Sequence, residues 1–323
     1  MTRFFRTIAC RRGGRLPLFA ILVAIWAANG SPGVGAPILP AQQAAASAPT
    51  GLIQMDHISV QIVGKGSPVI LIPGLSSPRA AWEGVTPELA RNHTVYLVQV
   101  NGFGGDDPRA NLRPGILDGI VADLRTLIAE RKLRKPAVVG HSMGGLAGMM
   151  LAARHPESVG KLMVVDALPF FSVMMAPPGS EVSVAMVEPR AAQMRDAVAA
   201  GYGKAPDPAA AEANVAGLTR KPERSLAKMK AWAMAADPRV SAQAMYEDLT
   251  TDMRPELTRI RAPLTIAYAW NDVYPRGAQA EAFFRAQYAG AAGARFVAIG
   301  DSGHFIMLDQ PEAFARALAA FAG

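Results

Sequence analysis

The sequence predicts an α/β protein with a doubly wound, mostly parallel sheet and an inserted helical cap. Three observations carry this prediction. Short apolar runs alternate along the chain with helix-length segments, which is typical of strand–helix–strand units. Several of these runs are unbroken, as expected for strands that are buried on both faces of a parallel sheet. The alternation is interrupted once, by a long stretch without a strand pattern.

The predicted core elements are short and well separated. The segments with a strand pattern are Ile58–Val63, Val69–Ile72, Thr94–Val100, Pro136–Gly140, Leu162–Asp166, Leu264–Trp270 and Arg295–Ile299. The segments with a helix pattern are Ala80–Arg91, Ile116–Arg131, Met143–Arg154, Gly277–Gln287 and Pro311–Phe321. Together they assign residues 51–168 and 260–323 to one core.

The stretch between these two core segments, residues 169–259, is predicted to be the helical cap. It combines alanine-rich helical pieces with several prolines, and it holds eight of the 15 methionines. Methionine is flexible and polarizable and suits adaptable apolar surfaces. More than half of these methionines are expected to pack inside the cap itself.

The N-terminal segment has the features of an export signal. Residues 1–36 contain five arginines and no acid, and Leu18–Ala28 is an uninterrupted apolar run. That run is short for a membrane span, which needs about 20 residues. Cleavage is expected after Val34-Gly35-Ala36 or within residues 41–48, and an uncleaved anchor is the alternative. Residues 37–50 are expected to form a flexible linker, and the mature chain is expected in the periplasm or outside the cell.

Charge and cysteine content change once this segment is removed. The 323-residue chain has 33 Lys+Arg, 26 Asp+Glu and a net charge of +7. Without the five arginines 28 basic residues remain, and the net charge is +2. The single cysteine, Cys10, also lies in the removed part. The mature chain is therefore expected to be free of thiols and to have no polyanion partner such as a nucleic acid.

One motif points to chemistry. Gly140-His141-Ser142-Met143-Gly144 has the pattern G-x-S-x-G, directly after a predicted strand and at the start of a predicted helix. This arrangement is typical of a sharp strand-to-helix turn that exposes a nucleophilic serine above the edge of a sheet. The helix N-terminus behind it favours negative charge that develops during reaction. Ser142 is therefore the candidate nucleophile.

A serine nucleophile needs a general base, and histidine is the usual one. The candidates are His57, His93, His141, His155 and His304. His304 follows the last predicted strand and so lies at the sheet edge that carries Ser142, where active sites of open α/β sheets are found. We expect His304 to be the base. For His155 a role at a helix C-terminus is expected, and the turn should direct the His141 side chain away from the site.

The base in turn needs an acid that orients the imidazole. Asp272 follows a predicted strand and Asp166 ends another, both at the correct edge. We favour Asp272, which gives the order Ser142, Asp272, His304 along the chain, and Asp166 is the alternative. The oxyanion needs two fixed N–H donors. The best candidates are Met143, directly after the nucleophile, and Leu75, in the loop Pro73–Ser77.

These motifs resemble the α/β-hydrolase family. The resemblance rests on Ile72-Pro73-Gly74-Leu75, Gly102-Phe103-Gly104-Gly105, Gly140–Gly145, Asn271–Pro275 and Gly303-His304-Phe305, and it runs from about residue 56 to residue 321. It implies a triad of Ser142, Asp272 and His304, and a cap between the sixth and seventh strands. Serine as nucleophile argues against the dehalogenase and epoxide-hydrolase relatives, which need a carboxylate there.

The predicted function is hydrolysis of a small to medium apolar carboxylic ester through an acyl-enzyme. The same triad could cleave a lactone, thioester, amide or carbon–carbon bond, or act as a perhydrolase, and a non-catalytic binding protein of this fold is the alternative from another class. No nucleotide cofactor is expected, since the glycines of Gly102–Gly105 and Gly64–Gly66 do not match a nucleotide-binding pattern. No metal is expected, since no cluster of His, Asp and Glu has metal-ligand spacing, and the triad mechanism needs no cofactor. The expected partner is a small-molecule ester, and the sequence does not indicate the oligomeric state.

Overall fold

The computed structural model describes residues 51–177, 179–273 and 277–323. The predicted signal segment 1–36 and linker 37–50 lie outside these residues. The described chain forms one eight-stranded sheet. Its strands are β1 Leu52–Gln54, β2 Ile58–Gly64, β3 Ser67–Ile72, β4 His93–Val100, β5 Ala137–His141, β6 Lys161–Val165, β7 Leu264–Trp270 and β8 Arg295–Gly300.

The sheet is mostly parallel, as the apolar strand runs predict. Its order is β1-β2-β4-β3-β5-β6-β7-β8. The pairs β1–β2 and β2–β4 are antiparallel, and every pair from β4–β3 to β7–β8 is parallel. Parallel strands end at a common edge, so the residues that follow β3, β5, β6, β7 and β8 are brought together there. Strand β1 has no counterpart among the predicted segments.

Helices cover both faces of the sheet. They are α1 Thr86–Leu89, α2 Ile116–Glu130, α3 Met143–Arg154, α4 Val184–Ala199, α5 Pro208–Ala216, α6 Pro222–Ala235, α7 Pro238–Thr250, α8 Gly277–Gln287, α9 Ile306–Asp309 and α10 Pro311–Ala322. Within the described residues, no helix is both long and apolar enough to cross a membrane.

Alternation along the strands explains why the sheet has two apolar faces. In β3, Ile70 and Ile72 belong to a core formed with α2, α3 and α8, whereas Val69 and Leu71 belong to a second core. That second core includes Trp82 and the apolar side of α10. Successive side chains of a strand point to opposite faces, so one unbroken apolar run is buried on both sides. The predicted doubly wound fold class is confirmed.

The helix predicted over Ala80–Arg91 is broken in the structure. A 3₁₀ turn covers Arg79–Trp82, and the single-turn helix α1 follows it. Pro87 lies at the start of α1, where its missing N–H is tolerated. In the interior of one continuous helix, the same proline would remove a hydrogen bond and clash with the preceding turn.

The stretch between β6 and β7 is helical where the structure describes it. Helices α4 to α7 and the 3₁₀ turns Phe171–Met175 and Arg254–Arg259 lie here, without a strand. Helix α7 packs against α4. Met194, Val198, Met245 and Leu249 form a small apolar core between the two helices. We call residues 169–259 the helical insertion. It lies over the sheet edge where β3, β5, β6 and β8 end.

Candidate active site

Ser142 lies at a tight turn between β5 and α3. Its backbone has φ 53° and ψ −126°, a conformation that is uncommon for a residue with a side chain. The neighbouring glycines make the turn possible. A Cβ on Gly140 would lie 2.1 Å from the Gly144 carbonyl oxygen, and one on Gly144 would lie 2.4 Å from the Ile72 carbonyl oxygen. The turn is therefore too tight for larger residues at these positions.

His304 lies in the loop between β8 and α9, and its partner is Asp166. The distance from His304 Nδ1 to Asp166 Oδ2 is 2.8 Å, and both side chains are largely buried. Asp166 directly follows β6, and its Oδ1 accepts a hydrogen bond from the Ala269 N–H at 2.9 Å. Both carboxylate oxygens are thus engaged. With Nδ1 donating to Asp166, the other ring nitrogen of neutral His304, Nε2, is left as an acceptor.

Asp272, the favoured acid, does not contact His304. Its side chain is 83% exposed and forms an ion pair with Arg220 at 2.9 Å. The preceding residue, Asn271, turns inward instead and donates a hydrogen bond to the Ser302 carbonyl. Asp272 therefore lies on the outer side of the loop that follows β7. The preference for Asp272 over Asp166 is corrected by this geometry.

The two candidate oxyanion donors lie in adjoining backbone segments. Ile72 at the end of β3 pairs with Gly140 of β5, which places the two following loops side by side. A Cβ on Gly74 would be only 3.0 Å from Ser142 Cβ. Met143 is the first residue of α3, so its N–H has no partner within the helix. Leu75 lines the same cavity as Ser142. The structure thus brings both candidates to the nucleophile turn.

Ser142 and His304 line one cavity of about 860 Å³ beneath the helical insertion. Within the described part of the chain, the Ser142 hydroxyl forms no hydrogen bond, and His304 Nε2 also has no partner. In proteins without bound substrate, the hydrogen bond between a nucleophile and its base is often long or absent. The cavity wall is mainly apolar, and its apolar residues include Leu75, Phe171, Met194, Val198, Trp232, Met245 and Leu249.

The family assignment follows from comparison with known proteins. Residues 69–317 match the model of the "Alpha/beta hydrolase family", which is more than half of the chain. The chain belongs to the alpha/beta hydrolase family. The matched range includes Ser142, Asp166 and His304, so the cavity described above lies inside the family region.

The individual relatives have low sequence identity to this chain or match only part of it. The pimeloyl-[acyl-carrier protein] methyl ester esterase of Aeromonas hydrophila is 31% identical over 122 residues, which is 38% of this chain and 46% of the relative. The matched segment thus spans less than half of that curated protein. A thermophilic esterase from Thermogutta terrifontis has a TM-score of 0.68 at 21% identity, covering 84% of this chain and 97% of the other.

A second solved structure gives the same result for the fold. The enol-lactonase from Burkholderia xenovorans LB400 has a TM-score of 0.64 at 22% identity, covering 82% of this chain and 95% of the other. At such identities the likeness shows the α/β-hydrolase fold alone. Taken together, the family model and the relatives support a hydrolase.

His141 lines the same cavity and contacts the His304 loop, although its side chain was expected to point elsewhere. The ring is fully buried, and Nε2 lies 3.0 Å from the His304 carbonyl oxygen, so Nε2–H is the donor. Burial, followed by the nearby His304, lowers the pKa of His141 well below its usual value. The neutral, fully buried His141 ring therefore holds the His304 loop through the hydrogen bond from Nε2–H to the His304 carbonyl oxygen. The other histidines are structural: His57 bonds to Asn111, His93 bonds to Ser67 and His155 follows the last residue of α3.

Asp309 is a site residue that the sequence analysis missed. It is completely buried and accepts hydrogen bonds from the Gly303 N–H at 2.8 Å and from the Arg220 N–H at 2.7 Å. The Thr219 hydroxyl also bonds to it, at 2.5 Å. Asp309 therefore ties the His304 loop to the helical insertion. The sequence shows only an acid five residues after His304, and its burial is seen in the structure alone.

Asp248 is the second residue that was missed. It lies on α7 and lines the cavity with Ser142 and His304. Burial raises the pKa of its carboxyl group to about 7, and the nearby His304 acts in the opposite direction. Met245, Asp248 and Leu249 follow the spacing of one helical face. The sequence does show an acid between apolar residues on one helix face. Only the tertiary structure shows that this face lines the cavity.

The described residues contain no group of three or more His, Cys, Asp or Glu side chains arranged to hold a metal ion. The candidate site combines a serine at a tight turn, a histidine whose Nδ1 contacts a carboxylate, and two backbone N–H groups near the serine.

Proposed function

We propose that this protein is a serine hydrolase that cleaves carboxylic esters through an acyl-enzyme on Ser142. The observation that carries the proposal is the 2.8 Å contact between His304 and Asp166 in the cavity that also contains the Ser142 turn. A nucleophile, a base and a carboxylate that orients the base are the parts of a catalytic triad. In this proposal Asp166 takes the role that the sequence analysis gave to Asp272.

In the proposed reaction, His304 Nε2 removes the Ser142 proton as the hydroxyl oxygen attacks the ester carbonyl. Asp166 stabilises the imidazolium that forms and keeps the ring in the required orientation. The Leu75 and Met143 N–H groups bind the oxyanion of the tetrahedral intermediate. One such donor typically contributes about 10²–10³-fold in rate. The imidazolium then gives its proton to the departing alcohol.

The second half of the reaction releases the acid. A water molecule takes the place of the alcohol, and His304 removes one of its protons as it attacks the acyl-enzyme. Collapse of the second tetrahedral intermediate returns the proton to Ser142 and frees the carboxylic acid. The triad supplies every proton transfer in this cycle, so the chemistry needs no further group.

The helical insertion is proposed to act as a cap that forms the substrate cavity. Its contribution to the wall is mostly alanine, methionine, valine, leucine and aromatic side chains. Apolar walls favour an apolar acyl or alcohol portion. The esterase among the curated relatives and the esterase and enol-lactonase among the solved structures agree with cleavage of an ester-type bond.

The test is to label the protein with a fluorophosphonate probe and to assay hydrolysis of nitrophenyl esters. We expect the probe to attach to Ser142, and we expect Ser142→Ala to lose labelling and nearly all ester hydrolysis while keeping its circular dichroism spectrum. Labelling of wild type with no ester turnover would direct the search to lactones, thioesters and amides. Ester turnover by Ser142→Ala at the wild-type rate would exclude the proposed nucleophile.

A further inference from the structure

Asp248 is an ionisable group that the proposed triad does not use. It lies one helical turn after Met245 on α7, and both side chains line the cavity that holds Ser142 and His304. The side chain is half-buried. Within the described residues its carboxylate forms no hydrogen bond and no ion pair. A carboxylate that is partly removed from water gains from a charged partner, and because Asp248 faces the cavity, a ligand bound there can be that partner.

The basic side chains around α7 are engaged elsewhere. Arg239, near the start of α7, is paired with Asp237 at 2.6 Å. Arg195, on the packed helix α4, is paired with Asp196 at 2.8 Å and lies over the Tyr246 ring. Neither guanidinium neutralises Asp248. The positive charge that acts on Asp248 belongs to His304, and only when that ring is protonated.

The backbone that carries Asp248 is held in place. The adjacent Glu247 accepts hydrogen bonds from three N–H groups at the start of α2, those of Gly115, Ile116 and Leu117, at 2.7–3.1 Å. Near the other end of α7, the Ser241 and Ser76 hydroxyl groups are 2.8 Å apart. These contacts fix α7 to the core on both sides. Asp248 therefore remains on the cavity wall, where a ligand meets it.

The rest of the cavity wall offers little competing charge. Asp207 is occupied by the N–H groups of Ala209 and Ala210 at the start of α5. Lys204 is exposed, in the turn after α4. An unpaired carboxylate in an apolar wall repels anions and attracts cations, and the attraction is strong where water is excluded. A protonated amine on the ligand would supply the missing partner of Asp248.

We propose that Asp248 selects substrates that carry a protonated amino group on the portion bound in the cavity, an inference that rests on the proposed ester hydrolysis. In such a complex the ammonium group donates to the Asp248 carboxylate, the intervening methylene groups contact Met245 and Leu249, and the ester carbonyl lies at Ser142. Substrates with a carboxylate in the same position are disfavoured.

The first experiment compares two nitrophenyl esters of equal length, 6-aminohexanoate and heptanoate, in which an ammonium group replaces a methyl group. We expect wild type to prefer the amino ester, and we expect Asp248→Asn to lower the ratio of the two kcat/KM values at least ~10-fold. Asp196→Asn, an exposed acid on α4, is the matched control and should leave the ratio unchanged. An unchanged ratio in Asp248→Asn overturns the inference.

A binding measurement does not depend on turnover. Titration calorimetry of the Ser142→Ala protein with hexylammonium and with hexanoate, at about pH 8.5 where Asp248 is mostly ionised, should show tighter binding of the cation. Adding Asp248→Asn should weaken hexylammonium binding ~10-fold or more. Tighter binding of hexanoate, or no effect of the Asn substitution, contradicts the role of Asp248.

The two proposals fail in different ways. If wild type hydrolyses neither ester but hexylammonium binding depends on Asp248, the proposed ester hydrolysis is wrong and the cation site stands. If heptanoate is hydrolysed and the Asn substitution affects neither the ratio nor the binding, the hydrolase proposal stands and the cation site is wrong. Thermal melting of each variant confirms that the compared proteins are folded.

Discussion

At the scale of single residues, the hydrogen bond from His304 Nδ1 to Asp166 determines that Nε2 is the ring nitrogen without a protein partner among the described residues. A carboxylate in this position fixes the tautomer and the ring orientation that a general base needs. Asp272 comes after the neighbouring strand but binds Arg220 at the surface. Two aspartates at the same sheet edge therefore have opposite environments, and this difference is directly testable.

Asp166→Asn should lower kcat on an ester substrate on the order of 10³-fold or more, because an amide cannot stabilise the imidazolium and favours the wrong tautomer. Asp272→Asn is the matched control and should change kcat less than about 3-fold, since an exposed ion pair contributes little. Steady-state kinetics of the two variants decides between them. A large loss in Asp272→Asn with a small one in Asp166→Asn would restore the acid that the sequence favoured.

The raised pKa of Asp248 predicts how stability depends on pH. The unfolded carboxyl group ionises near its usual value of 3.8, but the folded one ionises at about 7. Between these values the native state binds more protons than the unfolded state, so stability falls as pH rises through this window. Asparagine does not ionise, so the Asp248→Asn protein does not undergo this fall in stability as the pH rises. Between about pH 5 and about pH 8, the variant should therefore gain roughly 2–3 kcal/mol relative to wild type.

Denaturant unfolding at the two pH values measures this gain, with Asp196→Asn as the control. The charged groups that face the region of Asp248 are His304, Lys204 and Asp207 on the cavity wall, and Glu188 and Arg195 on α4, which contact Tyr246 instead. The variant loses the Asp248 carboxyl group together with its interaction with His304, and the other groups named are the same in both proteins. An Asp248→Asn difference that does not change with pH would mean that this carboxyl group titrates normally.

At the scale of elements, the site is assembled where loops from separate strands meet the helical insertion. The turn after β5 carries Ser142, the end of β6 carries Asp166, and the loop after β8 carries His304. Asp309, at the end of α9, connects this last loop to residues 219–220 of the insertion. We infer that Asp309 is a positioning residue, because it acts on His304 through the backbone and does not contact the cavity.

Asp309→Ala should leave the Gly303 and Arg220 N–H groups unsatisfied and lower the free energy of unfolding by about 3 kcal/mol, since each buried unpaired group costs about 1–3 kcal/mol. It should also lower kcat about 10-fold or more by shifting the His304 loop. Asp301→Ala in the same loop removes an exposed ion pair with Lys221 and a long contact with Gln310 and should have a small effect on both. Stability loss without any kcat change in soluble, folded Asp309→Ala would contradict the positioning role.

At the scale of the whole molecule, the cavity exists only because the insertion lies over the sheet edge. Its volume of about 860 Å³ exceeds what an acetyl group needs. Met245 is buried, lines the cavity and lies on α7. The space available to an acyl chain thus depends on side chains that are far from Ser142 in the sequence.

Met245→Trp should fill part of this space and shift the preference of the enzyme toward short acyl chains. We expect the ratio of kcat/KM for the octanoate and acetate esters of nitrophenol to fall about 10-fold or more, because an overpacked wall excludes the longer chain. Met186→Trp, at an exposed methionine of α4, is the control and should leave the ratio unchanged. If wild type itself prefers acetate and rejects octanoate, the cavity does not hold an apolar acyl chain.

Much of this architecture could be predicted before the structure. Several strands of the sheet are unbroken apolar runs in the sequence, which indicates a parallel sheet because strands buried on both faces have few polar residues. Helices α3 and α8 begin and end where their patterns predict. The short strand β1 was not predicted, since three residues carry too little periodicity, and the break at Pro87 was missed in a long helical pattern.

The sequence by itself determined the fold class, the tight turn at Ser142 and the position of His304 after the last strand, because each is a local pattern of glycines, apolar runs and chain order. The tertiary structure alone decided which aspartate meets His304, how Asp309 joins the insertion to the core, and that Asp248 faces the cavity. The reason is physical: those partners are between 6 and 138 residues apart or face one another across a cavity, and chain order does not record which way a loop or a helix face turns.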